Sequence, residues 1–281
     1  MKQANLLDAI RQQISSHTDS PYLDAQVLLS EVLNKSRAWV LAHPDPPITE
    51  EESRTLDSML EDIQQGTPLP YVVEHRAFFK LDFKINSQVL IPRPETEYLV
   101  EKGIQWLEVH PERRRAVDIG TGSGVIAVSL AKEVPNLQLV ATDLSLQALE
   151  LARKNASDHQ VMDQIHFCQT DLLAGIQAQF DLICANLPYV PTTKLTKLPV
   201  FRKEPRLALD GGPNGLQVID RLLKTVHESL APGGILLLEI DEDKGSEAKS
   251  LAREQFPSAR ITLKKDLARQ DRYLLLEDTT R

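Results

Sequence analysis

Asn186-Leu187-Pro188-Tyr189 follows an apolar run, Phe180 to Ala185, whose pattern predicts a buried strand. A polar-then-aromatic turn at a strand's C-terminal end lies where open α/β sheets carry their chemistry. Asn186 offers one side-chain carbonyl acceptor and its amide donors, Pro188 stiffens the turn, and Tyr189 supplies a flat wall. Together they can grip a planar NH2 group. The same residues also fit an ordinary β-turn with Asn and Pro in their usual positions, so the choice rests on what lies upstream.

Upstream, Asp118-Ile-Gly120-Thr-Gly122-Ser-Gly124 lies between an expected strand and an expected helix. Glycines there permit a tight turn and close approach of a ligand to the backbone, and the exposed N–H groups of a helix start favour negative charge. The dinucleotide fingerprint needs Gly or Ala three residues after its second glycine, but Val125 stands there, and no Gly-Lys-Ser/Thr follows. Asp143 ends the next strand, where a carboxylate can accept both ribose hydroxyls of a nucleoside; the alternative is a helix N-cap. Asp171 follows the third strand and fits either an acceptor for an adenine amine or a loop carboxylate. A nucleoside site without provision for a pyrophosphate suits S-adenosylmethionine. Asp118 would then lie near the cofactor's amino-acid end, facing the ammonium directly or through water.

The elements that must position these residues alternate from residue 95 onward. Strands are expected at Ala116–Ile119, Leu137–Thr142, Gln164–Cys168, Phe180–Ala185 and Ile235–Ile240, with a final pair near Ile261 and Tyr273–Leu276. Helices are expected at Gly124–Glu133, Leu146–Ala156 and Leu216–Leu230. The alternation predicts an α/β domain, a doubly wound, mostly parallel sheet with both faces covered. Residues 1–74 read as helices, with Pro21 after Ser20 and a capping box at Thr49-Glu-Glu-Glu52. Leu56, Met59, Leu60 and Ile63 fall on one helical face. Residues 75–94 read as a linking β-hairpin, with Leu81, Phe83 and Ile85 alternating, a turn at Asn86-Ser87, and Val89-Leu90-Ile91 as the returning run. Ile91-Pro-Arg-Pro-Glu-Thr96 is a rigid connector into the domain at 95–281.

The chain has 281 residues, 42% hydrophobic and 26% charged, as expected of a globular protein with one domain and a small accessory unit. A net charge of -8 argues against binding nucleic acid through its backbone, and Arg113-Arg114-Arg115 reads as a solvated loop. Cys168 and Cys184 sit in apolar runs without metal-ligand spacing, as free thiols in a reducing compartment would. The N-terminus lacks a signal-peptide core and no apolar run reaches membrane length, which predicts a cytoplasmic protein.

With the glycine loop, Asp143 and Asn-Leu-Pro-Tyr in this order, the sequence resembles the class I S-adenosylmethionine-dependent methyltransferases that modify planar nitrogens. Gly66-Thr-Pro-Leu-Pro-Tyr71, Ile91–Thr96, Glu204-Pro-Arg-Leu-Ala-Leu-Asp-Gly-Gly212, Leu236-Leu-Leu-Glu-Ile240, and Asp266-Leu-Ala with Asp271-Arg272 narrow the likeness to the release factor glutamine N5-methyltransferase family, over essentially the whole chain. The resemblance implies a seven-stranded sheet and an N-terminal helical domain that helps dock a class I peptide chain release factor. The glutamine of that factor's Gly-Gly-Gln loop would become N5-methylglutamine, leaving S-adenosylhomocysteine. It also implies that Gly120, Thr121, Gly122, Ser123 and Gly124 hold the methionine end of the cofactor, Asp143 the ribose, and Asp171 with Leu172 the adenine, while Asn186 through Tyr189 receive the glutamine amide. The family's turn is Asn-Pro-Pro-Tyr, and this chain has Leu187 in second place. It also has Asp241 where the family commonly has glycine.

An amide nitrogen is a poor nucleophile, so such a site supplies geometry more than base strength. The Asn186 side-chain oxygen and the Leu187 carbonyl would each accept one amide N–H, a demand any residue at 187 meets. Three rival readings share parts of this pattern. A glutamine methyltransferase of a ribosomal protein shares the catalytic turn, and a nucleic-acid adenine methyltransferase would grip a flipped base in it. A non-catalytic binding module with a degenerate fold would lack the intact glycine loop and Asp143.

Overall fold

A computed structural model describes residues 5–198 and 203–279. The chain divides into two compact units, one ending at His75 and one beginning at Arg76.

The first unit is helical: α1 (Leu6–Ile14), α2 (Pro21–Leu33), α3 (Arg37–Ala42), α4 (Glu50–Gln64) and α5 (Leu69–Val72). The capping box at the start of α4 is formed, with Thr49 Oγ1 accepting from the Glu52 N–H at 3.2 Å and the Glu52 carboxylate accepting from the Thr49 N–H at 2.6 Å. Leu56, Leu60 and Ile63 of α4 pack with Ile10, Ile14, Leu28, Leu29 and Val40 into this unit's own core. Met59 lies at its margin.

Two short strands, β1 (His75–Phe78) and β2 (Leu81–Lys84), form a separate two-stranded sheet. The chain reverses at Phe79-Lys80, both in the left-handed region at φ 45° and 65°, and not at Asn86-Ser87 as the composition suggested. Asn86 does turn the chain, but locally: its side-chain oxygen accepts from the Gln88 N–H at 3.0 Å, after the second strand has ended. Val89 to Ile91 therefore lie outside that sheet, and the run leads to a short 3-10 turn at Pro94–Thr96 and α6 (Glu97–Val109).

The larger unit continues with β3 (Arg115–Ile119), α7 (Val125–Glu133), β4 (Gln138–Asp143), α8 (Leu146–Asp158), β5 (Ile165–Gln169), β6 (Phe180–Ala185), α9 (Thr192–Leu195), α10 (Gln217–Val226), β7 (Leu230–Glu239), α11 (Gly245–Gln255), β8 (Arg260–Lys265) and β9 (Asp271–Glu277). The strands form one seven-stranded sheet in the order β5-β4-β3-β6-β7-β9-β8. All neighbours from β5 to β7 are parallel, and β9 runs antiparallel to both β7 and β8.

Strand β6 explains why its sequence is apolar throughout. Leu182 and Cys184 enter the core that α6 and α7 cover, while Ile183 and Ala185 enter the core under α10 and α11. Burial on both faces removes any alternation. The chain winds outward from β3 to β5 and then returns to β6, so a crevice opens between the carboxyl ends of β3 and β6, where such sheets bind ligands. Arg113, expected in a solvated loop, instead donates to the Asp181 carboxylate at 2.8 Å at the opposite end of β6. Among the described residues no helix is long and apolar enough to cross a membrane.

Candidate active site

The glycine loop is fixed from below. The N–H groups of Gly120 and Thr121 both donate to the Thr142 carbonyl, at 2.9 and 2.8 Å, which carries the chain across the end of β4. At Gly122, φ is +55° and a Cβ would meet no atom within 4 Å, because the residue faces an open cavity. Gly124 differs: its Cβ would lie 3.0 Å from the Ala152 Cβ, so this glycine lets α8 pack closely and does not line the cavity. The Asn155 amide, buried on α8, donates to the carbonyls of Ser123 and Lys84, at 2.8 and 3.0 Å, and joins the loop to the hairpin. An asparagine inside an amphipathic helix carries no sequence signal of that role.

Asp118 lies beneath the loop, fully buried and outside the cavity lining. Its Oδ2 accepts from the Thr121 hydroxyl at 2.6 Å and the Ala127 N–H at 3.3 Å, whereas Oδ1 has no partner among the described residues. Burial pushes this carboxyl up to about 7, against the pull of those two donors and with a further push from Asp143.

The cavity, of about 400 Å³, is lined by the loop from Gly120 to Ser123, by Asp143, Asp171 and Leu172, and by Asn186 to Pro188. Asp143 accepts from the Gly122 N–H at 2.9 Å through Oδ2 and from the Ser145 N–H at 2.8 Å through Oδ1. The cap of α8 is Ser145, whose hydroxyl accepts from the Ala148 N–H at 3.2 Å, so Asp143 is not the N-cap. Burial raises the Asp143 carboxyl, and the backbone N–H groups of Ser145, Gly122 and Leu144 draw it back. Asp171 is ion-paired with Arg221 of α10, which also lines the cavity. Any adenine amine would share that carboxylate with the guanidinium. Leu172 stands in the left-handed region at φ 54°.

At the end of β6 the four-residue turn divides its tasks. Leu187 is only 4% exposed, and its side chain packs into the core under α10 while touching the site of a would-be Gly120 Cβ at 3.2 Å. The Leu209-Asp-Gly-Gly212 stretch backs the turn, with the Val190 N–H donating to the Leu209 carbonyl at 3.0 Å and the Gly211 N–H to the Val190 carbonyl at 2.9 Å. Gly211 has to be glycine there, since a Cβ would lie 2.7 Å from the Tyr189 Cα. Tyr189, expected to wall the pocket, is absent from its lining; its hydroxyl turns away and donates to Glu239 Oε1 at 3.0 Å.

The Asn186 amide donates through Nδ2 to Thr96 Oγ1 at 2.9 Å, and the Thr96 hydroxyl donates to Glu239 Oε2 at 2.7 Å. With Nδ2 engaged, Oδ1 is the remaining acceptor of this side chain at the cavity. Arg93, also in the lining, donates to the buried Glu204 carboxylate at 2.7 Å, which locks the proline-rich connector to the Glu204–Gly212 segment. Asp241 occupies ordinary extended backbone at φ -65°, and its side chain accepts from the Asp243 N–H at 2.9 Å, so nothing at that position requires glycine. Thr96, Glu239, Arg93, Glu204 and Arg221 escape a reading of the cavity from sequence, because each meets its partner only through the fold.

Residues 98–201 match the family described as Methyltransferase small domain, and residues 5–73 match the PrmC N-terminal domain. A release factor glutamine methyltransferase of Moorella thermoacetica is 38% identical over 95% of this chain and 95% of its own length. Another, of Koribacter versatilis, is 39% identical over 83% of each. Among solved structures, the human Mettl16 catalytic domain in complex with an MAT2A 3'UTR hairpin has a TM-score of 0.58 at 17% identity, covering 83% of both chains. The T. thermophilus 16S rRNA N2 G1207 methyltransferase, in complex with AdoMet and guanosine, has a TM-score of 0.51 at 19% identity, covering 76% of this chain and 52% of that one. At such identities the structural likeness speaks for the fold alone.

Proposed function

The chain belongs to the release factor glutamine methyltransferases, and we propose that it uses S-adenosylmethionine to methylate the side-chain amide nitrogen of the glutamine in the Gly-Gly-Gln loop of class I peptide chain release factors. It is a protein-glutamine methyltransferase acting on a release factor. The observation that carries the finer reading is the Asn186 amide, held by Thr96 with its carbonyl oxygen left for a substrate at the cavity.

The residues present fit the methyl donor. A cavity of about 400 Å³ suits a nucleoside that carries an amino-acid arm. Open space over Gly122 and a carboxylate at the end of β4 supply backbone approach and a ribose acceptor, and Asp118, which does not reach the cavity and whose Oδ1 has no partner among the described residues, supplies a counter-charge for an ammonium from beneath the loop and not by direct contact. When bound, S-adenosylmethionine supplies an electrophilic methyl group on a sulfonium and departs as S-adenosylhomocysteine.

The protein's own part is positioning. Asn186 Oδ1 and the Leu187 carbonyl each accept one N–H of the glutamine amide, holding the nitrogen in place, and alignment of this kind contributes up to about 7–11 kcal/mol in favourable cases. Their dipoles also stabilise the positive charge that develops on nitrogen before it loses a proton to solvent water. Leu187 supplies a carbonyl as any residue would, and its buried side chain replaces the rigidity of the family's proline with core packing. A net charge of -8 accords with a protein substrate and no direct grip on nucleic acid. A translation factor as substrate accords with a cytoplasmic enzyme.

The test is incubation with labelled cofactor and, separately, a release factor, ribosomal proteins and DNA, followed by location of the methyl group by mass spectrometry. Label on the glutamine of Gly-Gly-Gln is expected. Label on ribosomal protein or DNA alone overturns the reading.

A further inference from the structure

We propose that Glu239, acting through Thr96, decides which end of the Asn186 amide faces the cavity, and so is a positioning residue for methyl transfer; this rests on the reading that Asn186 receives the glutamine amide. The oxygen and NH2 of an asparagine amide are nearly equal in size, so packing alone cannot tell them apart. Only the polarity of neighbouring hydrogen bonds can.

The polarity here is set three groups deep. Glu239 ends β7, beside β6, in a register that pairs Ala185 with Leu238, so it stands level with Asn186 at the carboxyl edge of the sheet. It is 1% exposed, and both its oxygens accept: Oε2 from the Thr96 hydroxyl at 2.7 Å and Oε1 from the Tyr189 hydroxyl at 3.0 Å. Burial raises its carboxyl, and the Thr96 and Tyr189 hydroxyls with the nearby Arg272 pull against that rise. With each oxygen accepting from a hydroxyl, Glu239 stands as an acceptor toward Thr96. The single Thr96 hydrogen is therefore committed to Glu239, and Thr96 Oγ1 offers only lone pairs to its other neighbour. The atom 2.9 Å away must be a donor, and it is Asn186 Nδ2. The amide oxygen is left to the cavity, as a substrate NH2 requires. Reversing the amide would set two acceptors against each other in a buried position.

This gives a task to two motifs whose separation in sequence hides it. Thr96 closes the Ile91–Thr96 connector and reaches the cavity wall, whereas Glu239 lies in Leu236–Ile240 outside the lining. Tyr189 belongs to the same chain of bonds, so the fourth residue of the catalytic turn braces the carboxylate that orients the first.

Thr96→Val keeps the shape and removes the hydroxyl, Thr96→Ser keeps the hydroxyl, and Glu239→Gln can present either an oxygen or an NH2 to Thr96. Steady-state kinetics with release factor are expected to show kcat at least about tenfold lower in Thr96→Val, with KM and calorimetric cofactor affinity within about twofold, as for an interaction tightened only in the transition state. Thr96→Ser should recover kcat to within about threefold, and Glu239→Gln should fall between the two. Orientation is also read without turnover, in protein labelled with 15N-asparagine: the Asn186 side-chain amide signal, assigned by its loss in Asn186→Ala, should shift and exchange faster in Thr96→Val and Glu239→Gln. An unmoved signal, a kcat in both variants equal to that of the parent, or failure of Thr96→Ser to recover what Thr96→Val loses overturns the proposal. A parent enzyme that leaves the release factor unmethylated overturns the proposed function instead, and the amide signal still decides the orientation.

Discussion

The Asp143 carboxylate accepts from the Gly122 N–H at 2.9 Å, which ties the end of β4 to the middle of the glycine loop. The group suited to hold a ribose is thus also the group that shapes the wall against which the cofactor's other end would lie. One side chain couples both halves of the site.

Asp143→Ala should therefore cost more than the ribose contact alone. Losing charge-assisted bonds to the loop and the ligand together should weaken S-adenosylmethionine binding about a hundredfold, roughly 2–3 kcal/mol. Titration calorimetry measures this, and an affinity within about threefold of the parent would contradict the shared role.

Asn186→Ala should separate binding from chemistry. Cofactor affinity should stay within about threefold, because the loop and Asp143 are untouched, while turnover on release factor falls at least about a hundredfold. Single-turnover rates with saturating cofactor make the comparison, and near-normal turnover would remove Asn186 from the reaction.

Much of the lining of the candidate site was legible because its residues sit at the ends of strands. The glycine loop, Asp143 and the turn after β6 each follow a buried strand, and burial on both faces writes such strands as continuous apolar runs. The hairpin misled for a local reason. Phe79 and Lys80 adopt positive φ without the Asn or Gly that signals it, whereas Asn86-Ser87 has turn composition and makes only a side-chain turn. Strand β7 begins at Leu230 and runs through Pro232-Gly233-Gly234, so it starts ahead of the expected Ile235 and takes the last residue of the expected Leu216–Leu230 helix, which ends at Val226. The Asn186–Thr96 and Thr96–Glu239 bonds bridge sequence separations of 90 and 143 residues, and no spacing rule reaches so far. Tyr189 shows the same limit, since its type suggested a pocket wall and only the fold brings Glu239 to its hydroxyl.

Arg93 and Glu204 make a prediction about stability. The Glu204 side chain is fully enclosed, and Arg93 is its charged partner. Arg93→Met should lower unfolding free energy by about 3 kcal/mol by stranding that carboxylate, while the double variant Arg93→Met/Glu204→Leu should regain most of the loss. Urea unfolding monitored by circular dichroism tests both, and equal losses in the single and double variants would mean the charge pair is not the cause.

Asp118 links the site to pH. Its folded-state value of about 7 lies above the ordinary 3.8 expected in the unfolded chain, so between those values the folded protein holds a proton that the unfolded chain releases. Stability of the cofactor-free protein should then fall as pH rises from about 4 to 7 and level off above, which melting curves at pH 5 and 8 would show as a lower midpoint at pH 8. Ammonium binding has the opposite demand, since it needs the ionised carboxylate. S-adenosylmethionine affinity should be about tenfold weaker at pH 6 than at pH 8, following the ionised fraction of one group near 7. In Asp118→Asn the affinity dependence should flatten, with the affinity low at either pH, while the stability dependence should only weaken, since burial also raises the carboxyls of Asp143, Glu204 and Glu239. A parent affinity that is the same at pH 6 and 8, or an affinity dependence that survives in Asp118→Asn, would assign the ammonium to another group.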